Sequence, residues 1–290
     1  MTSGTIPGAG IRLTALRELW VHTGTACNLS CPFCHEGSQP GDRRLEAVTL
    51  EALRPQLEAA AAAGVERFAF TGGEPLILKE IVAILRHALA LRPCLLLTNG
   101  TAPLIRRPHH LAQLQGLPHP LSFRVSIDYP DESRHDAGRG LRNFRKALQG
   151  LKLLCDAGFA VGITRQQEVD EQPAAIAQRY RQLLRKHLLP QDLPVVAVPE
   201  LGRPQGRPMQ AAIPRGDPGA PLPPTACSRS RMLLRRDGQL RYAPCPLVDD
   251  EPRLDLGASL SEACAATVLP THPRCQICLT QGLDYLGAAN

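Results

Sequence analysis

Glu18-Leu19-Trp20-Val21-His22-Thr23-Gly24-Thr25-Ala26-Cys27-Asn28-Leu29-Ser30-Cys31-Pro32-Phe33-Cys34-His35 is the stretch on which the fold turns. Glu18 to His22 is apolar and β-prone and reads as a strand. Directly after it, three cysteines fall within eight residues of one loop. On spacing alone these thiols suit two kinds of metal. Three cysteines on a four-iron cluster leave one iron without a protein ligand, open to bind something else. A structural zinc wants four ligands. His35 would have to be the fourth, and its place directly beside Cys34 is geometrically awkward.

Working outward, strands and helices alternate. Leu50 to Ala63 has helical periodicity and is ended by Gly64; Arg67 to Phe70 reads as the next strand. Helices are then expected over Lys79–Leu91, weakly over Leu111–Gln115, from about Arg142 to Ala157 and from about Ala174 to Leu188. Strands are expected over Leu95–Thr98, Ser122–Ile127, Phe159–Thr164 and Val195–Val198. Six strand–helix units in series predict parallel pairing with right-handed crossovers. The expected class is therefore α/β, a partial (β/α)6 TIM-like barrel, with its chemistry on loops after the C-terminal ends of strands.

Each later strand end carries a polar motif. Thr71-Gly72-Gly73-Glu74-Pro75 follows the second strand, Thr98-Asn99-Gly100 the third and Ser126-Ile127-Asp128 the fourth. His135-Asp136-Ala137-Gly138-Arg139-Gly140 leads toward the next helix. A GGEP run alone also suits a plain turn, and Ile163, closing the fifth strand, also suits a core position. Taken in order, with C-x3-C-x2-C and an aromatic before the last cysteine, these motifs resemble the radical S-adenosylmethionine (SAM) superfamily over residues 17–200. The resemblance implies a [4Fe-4S] cluster on Cys27, Cys31 and Cys34, whose fourth iron chelates SAM. It implies reductive cleavage of SAM to methionine and a 5′-deoxyadenosyl radical that abstracts hydrogen. It places Phe33 against the adenine, Gly72, Gly73, Glu74 and Pro75 at the SAM amino group, and Ile163 at the adenine. Thr98, Asn99, Ser126 and Asp128 fall in the SAM pocket, with Ser126 and Asp128 reaching the ribose hydroxyls.

Residues 1–200 are thus expected to form the core domain. Residues 201–226, rich in Pro, Gly and Arg, read as a linker or flap. Residues 227–290 carry Cys227, Cys245, Cys264, Cys275 and Cys278. Arg229–Arg236 and Gln239–Tyr242 form an expected hairpin turned by Asp237-Gly238. Four thiols from a hairpin and a C-x2-C pair suit zinc or an iron–sulfur cluster, and either would staple a small piece of chain. Beside the core, the arrangement resembles the twitch/SPASM-like auxiliary modules of the same superfamily. It implies a second, auxiliary [4Fe-4S] cluster on Cys227, Cys245, Cys275 and Cys278, serving as an electron acceptor or a staple. No cysteine follows Cys278, so the one-cluster twitch form is expected. Six residues separate Gly238 from Cys245, where SPASM modules usually have four. Cys264, in an expected helix Ser259–Ala266, is an alternative ligand. Cys94 and Cys155 lie in apolar surroundings and read as buried thiols.

Composition narrows the partners. The net charge of +6 comes largely from scattered arginines, and aromatics are 4 % of residues. Arg229–Arg236 alternates with apolar residues, so no dense basic stripe for nucleic acid is expected. No membrane span and no signal peptide are expected, and the cytoplasm is the expected compartment. The substrate would be a small molecule or a peptide, and the electron donor a flavodoxin- or ferredoxin-type protein. Asp128, His135, Arg165 and Glu168 are candidate bases or substrate ligands, and Arg203, Arg207 and Arg215 a candidate clamp for an anionic substrate; no catalytic acid or base is assigned. Molybdenum-cofactor-type cyclisation ranks low, because the chain ends Leu286-Gly287-Ala288-Ala289-Asn290 rather than Gly-Gly. Peptide maturation would need a separate peptide-binding module, with only about sixteen residues before the first strand. A zinc-stabilised binding protein without the chemistry is the non-enzymatic rival.

Overall fold

The computed structural model describes residues 10–168, 170–199, 225–248 and 251–281. Strand β1 (Ile11–Arg12) is short, and β2 (Glu18–His22) opens the main series. Helix α1 (Leu50–Ala62), β3 (Arg67–Thr71), α2 (Ile81–Leu91) and β4 (Cys94–Thr98) follow. The short α3 (Ala102–Ile105) and α4 (His109–Ala112) lead to β5 (Leu121–Ser126), α5 (Glu132–Arg139) and α6 (Asn143–Asp156). Then come β6 (Ala160–Gln166), α7 (Pro173–Lys186) and β7 (Val195–Val198). Past residue 225 lie β8 (Ser230–Arg236), β9 (Gln239–Ala243), α8 (Leu260–Ala265), β10 (Thr267–Val268) and α9 (Pro273–Gln281). Among the described residues no helix is long and apolar enough to cross a membrane.

The main sheet runs β7-β6-β5-β4-β3-β2-β8-β9. From β2 to β7, six strands are parallel neighbours in chain order. This is the expected α/β architecture, a partial barrel whose strands all end on one rim. The expected hairpin is present too, with positive φ at both Asp237 and Gly238, as a tight two-residue turn between twisted strands requires. Its attachment was not foreseen. β8 pairs parallel to the free edge of β2, from Glu18 opposite Ser230 to Val21 opposite Leu233. The hairpin therefore continues the barrel sheet.

Alternation along β2 divides the core. Leu19 and Val21 pack with Leu53, Leu57 and Phe68 under the helices. Trp20 faces the opposite way, with Ala69, Leu95 and Met232. Leu247, Val248 and Leu254 fill that second face, so the C-terminal segment supplies apolar cover for the sheet. Burying a side chain of this size contributes about 1.5–3 kcal/mol.

Helix α5 lies where no helix was expected, because Glu132–Arg139 has no apolar period. Its start is set instead by Asp131, whose carboxylate accepts from the Arg134 N–H at 2.9 Å. α8 follows its expected range closely and begins with a capping box of Ser259 and Glu262.

Candidate functional site

The cysteine loop is docked on the rim by backbone. Gly73 N–H donates to Gly24 O at 2.9 Å and Glu74 N–H to Ala26 O at 3.1 Å. A Cβ on Gly73 would stand 2.3 Å from the Ala26 oxygen, so only glycine allows this approach. Cys27 N–H donates to Gln39 O, closing the loop's far side. The turn after β4 holds the loop from below. Asn99 Nδ2 donates to Asn28 Oδ1 at 3.0 Å and lies 3.9 Å from Cys27 Sγ, while Asn28 Nδ2 donates to Thr101 Oγ1 at 3.0 Å.

Above these elements opens a cleft with a cavity volume of about 150 Å³. Ten of the residues expected to bind cluster or cofactor line it: Cys27, Cys31, Phe33, Cys34, Gly72, Gly73, Thr98, Asn99, Ser126 and Asp128. Residues far apart in sequence thus meet at one place, from the ends of four different strands.

The His135–Arg139 stretch acquires a physical reading residue by residue. His135 Nδ1 accepts from the Asp128 N–H at 3.3 Å and so fixes the backbone of the β5 end. Asp136 caps α6 by accepting from Arg142 N–H at 2.6 Å and Phe144 N–H at 2.7 Å. Gly138 leaves room for Phe33, whose ring a Cβ there would strike. Arg139 forms a two-point ion pair with Asp128 and lies 5.6 Å from the Phe33 ring centroid. Its role was not assigned from sequence. Burial alone would lower its pKa, but the Asp128 carboxylate and then the Cys31 and Cys34 thiols hold it above the usual range. A fixed positive charge therefore stands beside two of the three thiols.

Several expected residues sit elsewhere. Glu74 is buried beneath the cleft, and its carboxylate accepts from Leu76 N–H, Thr98 Oγ1 and Asn99 N–H. Burial raises its pKa against those three donors. Pro75 opens a 3-10 turn behind it. Ile163 is fully buried in the main core; the cleft is lined at that strand end by Thr164, Arg165 and Gln166. Arg165 is held by Glu171 through two 2.6 Å hydrogen bonds. Glu168 pairs with Arg134 at 2.8 Å. Arg203, Arg207 and Arg215 lie outside the described residues.

A buried pair went unnoticed in the sequence because its members are fourteen residues apart and share no motif. His22, at the end of β2, accepts from Gly24 N–H at Nδ1, so Nε2 donates to Glu36 at 3.1 Å. Burial pushes Glu36 up, yet His22 and then His35 hold it well below the usual carboxylate range. This pair anchors the loop just past Cys34.

His135 gives a pH prediction. Burial, then Arg139, lowers its pKa to about 4, against about 6.5 for an unfolded histidine. Below pH 6.5 the unfolded chain takes up a proton that the folded chain refuses, so stability falls with pH. The loss approaches about 3 kcal/mol near pH 4. Urea unfolding of the metal-free protein at pH 7 and pH 4.5 measures it. His135→Asn, which keeps an acceptor for Asp128 N–H, is expected to remove that share of the slope. An unchanged slope refutes the assignment.

Four of the remaining seven cysteines gather at a second place. Cys227, Cys245, Cys275 and Cys278 all line one small cavity of about 20 Å³, walled by Ile11, Leu247 and Val248. Cys264 is not among its lining residues; it sits on α8, packed against the main core. The C-x2-C pair lies on α9, an element not expected from sequence. Beside the cavity, Arg231 is fully buried, and among the described residues it donates to the Ala263, Cys227, Ser230 and Ala266 carbonyls and to no carboxylate. A buried cation without a carboxylate partner is costly, and anionic thiolates would compensate it.

Both centres fit iron–sulfur clusters chemically. Burial raises the Cys27 and Cys275 thiols to about 12, and raises Cys34, Cys227 and Cys245 as well. Such thiols stay protonated until a metal displaces the protons. Among the described residues no three His, Cys, Asp or Glu side chains are gathered tightly enough for one metal ion. In a cubane each cysteine binds a different iron, so its thiols need not meet at a point.

Comparisons with known proteins agree with this geometry. The family model described as "Radical SAM superfamily" matches residues 21–166. A protein of Methanocella arvoryzae named "Probable GTP 3′,8-cyclase" is 32 % identical over 161 residues, 55 % of this chain and 48 % of that one. The chain thus spans about half the length of the curated relatives it matches. Among solved structures, Streptococcus suis SuiB matches with a TM-score of 0.63 at 14 % identity, over 88 % of this chain and 67 % of that one. SuiB bound to its precursor peptide SuiA matches with a TM-score of 0.53 at 18 % identity, over 65 % and 40 % of the two chains. At these identities the structural likeness speaks for the fold alone.

Proposed function

This chain belongs to the radical SAM superfamily, and from that membership we propose that it abstracts hydrogen from a small metabolite and completes a two-electron oxidation. The observation that carries the reading is the pair of cysteine centres, three thiols on the SAM-type cleft and four on a separate cavity. When bound, a [4Fe-4S] cluster with SAM at the first centre would supply reductive cleavage to methionine and a 5′-deoxyadenosyl radical, and a second cluster would accept the electron left on substrate after one hydrogen atom and one proton depart.

The chain's own residues divide the work. Cys27, Cys31 and Cys34 are the cluster ligands, and Cys227, Cys245, Cys275 and Cys278 the auxiliary ligands. Gly72, Gly73, Thr98, Asn99, Ser126 and Asp128 form the SAM-facing wall, with Phe33 against the adenine. Glu74 is a brace: it holds Thr98 and the Asn99 backbone in place. The wall left over for substrate includes Leu97, Gln166, Val198 and Pro199, more apolar than charged. Arg165, also on that wall, is already held by Glu171. A flavodoxin- or ferredoxin-type protein would deliver the electron.

Anaerobic reconstitution tests the reading. About eight irons and sulfides per chain are expected for two cubanes, falling to about four in Cys275→Ala/Cys278→Ala. The double variant is expected still to form 5′-deoxyadenosine from SAM with dithionite, but not oxidised product. About four irons in the unaltered protein would remove the second cluster. Two other substrate classes are read in the same assay. The relatives' name favours trying GTP, and a SAM-dependent GTP product would replace the oxidation reading. Turnover only with a peptide would make the chain a maturase.

A further inference from the structure

We propose that Arg274 is a strap between the two cysteine centres, through which occupancy of the four-cysteine cavity sets the geometry of the Cys27–Cys31–Cys34 loop. The inference rests on reading that cavity as a second iron–sulfur site. Arg274 is the second residue of α9 and immediately precedes Cys275. Its side chain is buried, and its guanidinium reaches two distant turns at once. Nη1 donates to the Leu247 carbonyl at 2.8 Å, two residues past Cys245. Nη2 donates to the His35 carbonyl at 2.6 Å, one residue past Cys34. Its own N–H donates to His272 Nδ1 at 3.1 Å, which steadies the start of the helix.

One planar fork therefore touches a neighbour of Cys34, a neighbour of Cys245 and, through the chain, Cys275. A guanidinium holds two acceptors in a fixed relation, which a flexible point charge does not. A cluster shared by Cys245 and Cys275 fixes both ends of the Arg274–Leu247 contact. The second arm then holds the His35 carbonyl. With that cavity empty, the 245–248 turn and the start of α9 lose their common anchor, and the hold on His35 loosens. His35 and Glu36 line the SAM cleft, so the change is felt where SAM binds. Coupling of this kind is reciprocal: SAM must retain the second cluster as strongly as the second cluster favours SAM.

The test is a cycle of SAM dissociation constants, measured by anaerobic equilibrium dialysis on reconstituted full-length protein. In the unaltered background, Cys275→Ala/Cys278→Ala is expected to weaken SAM binding about fivefold or more, the lower range of allosteric couplings. In an Arg274→Gln background, the same removal is expected to change it by less than about twofold. Arg274→Lys keeps the charge without the fork and is expected to behave like Arg274→Gln. As the reverse arm, SAM is expected to slow chelator-driven iron loss from the second site in unaltered protein and not in Arg274→Gln. Equal SAM affinities with about eight irons bound, or coupling that persists in Arg274→Gln, overturn the strap alone. About four irons in unaltered protein overturn it through the reading on which it rests, and the iron count tells the two failures apart.

Discussion

Cys31→Ala is expected to reduce 5′-deoxyadenosine formation by about three orders of magnitude or more, because members of a unit fail together. Iron content should fall from about eight to about four per chain. Cys31 is the middle ligand of the triad, and its loss leaves two thiols on the loop. The loop itself should stay folded. Its anchors are the Gly73–Gly24 and Glu74–Ala26 backbone bonds and the Asn99–Asn28 pair, none of which involves Cys31. Circular dichroism of the variant should therefore match the parent. Cys27→Ala and Cys34→Ala should be equally inactive, and combining them should add nothing. Full retention of SAM cleavage by Cys31→Ala, or zinc in place of iron in the parent, would contradict the assignment of this loop.

Glu74→Ala is expected to be the most destabilising single change at the rim. The carboxylate cross-links β3 and β4 through Leu76 N–H at 3.1 Å, Thr98 Oγ1 at 2.8 Å and Asn99 N–H at 2.7 Å. Alanine strands two amides and a hydroxyl in a buried place, at a cost of about 3–5 kcal/mol. For a chain of this size that lowers the melting temperature by roughly 10 °C. Glu74→Gln keeps one acceptor oxygen but turns an NH2 toward a donor, so its loss should be smaller, about 2 kcal/mol. Differential scanning calorimetry of the metal-free protein separates the two. SAM affinity of reconstituted Glu74→Gln should also drop, since Thr98 and Asn99 lose their common brace. A Glu74→Ala loss within about 1 kcal/mol would show that water satisfies these donors.

Much of the cleft was legible because its residues come in short local motifs at strand ends, and strand ends of a parallel sheet share one rim. The strands were legible from apolar runs such as Arg67–Phe70. What escaped the sequence was interaction across distance. Glu74 offers a carboxylate in the right motif, but only the fold shows that it faces its neighbours' amides. Ile163 was expected to close its strand, yet β6 runs on to Gln166, and the pleat turns Ile163 into the core and Thr164 to the cleft. Arg139 and the His22–Glu36 pair are polar residues whose partners are set by the turn of a loop or helix. α5 escaped because its capping residue, and not apolar periodicity, defines it.

The pairing of β8 with β2 has a consequence in time. During synthesis, β2 emerges roughly two hundred residues ahead of β8. At about 5–20 residues per second, that is a wait of roughly ten to forty seconds. Meanwhile β2 can zip to β3, but its other edge stays open as a template for stray strands. Trp20, the one tryptophan of the chain, sits on that edge opposite Met232. Its indole is finally sheltered only when the last third of the protein arrives. An early strand of the nascent chain thus waits on a late one, and tryptophan emission would report the moment the wait ends.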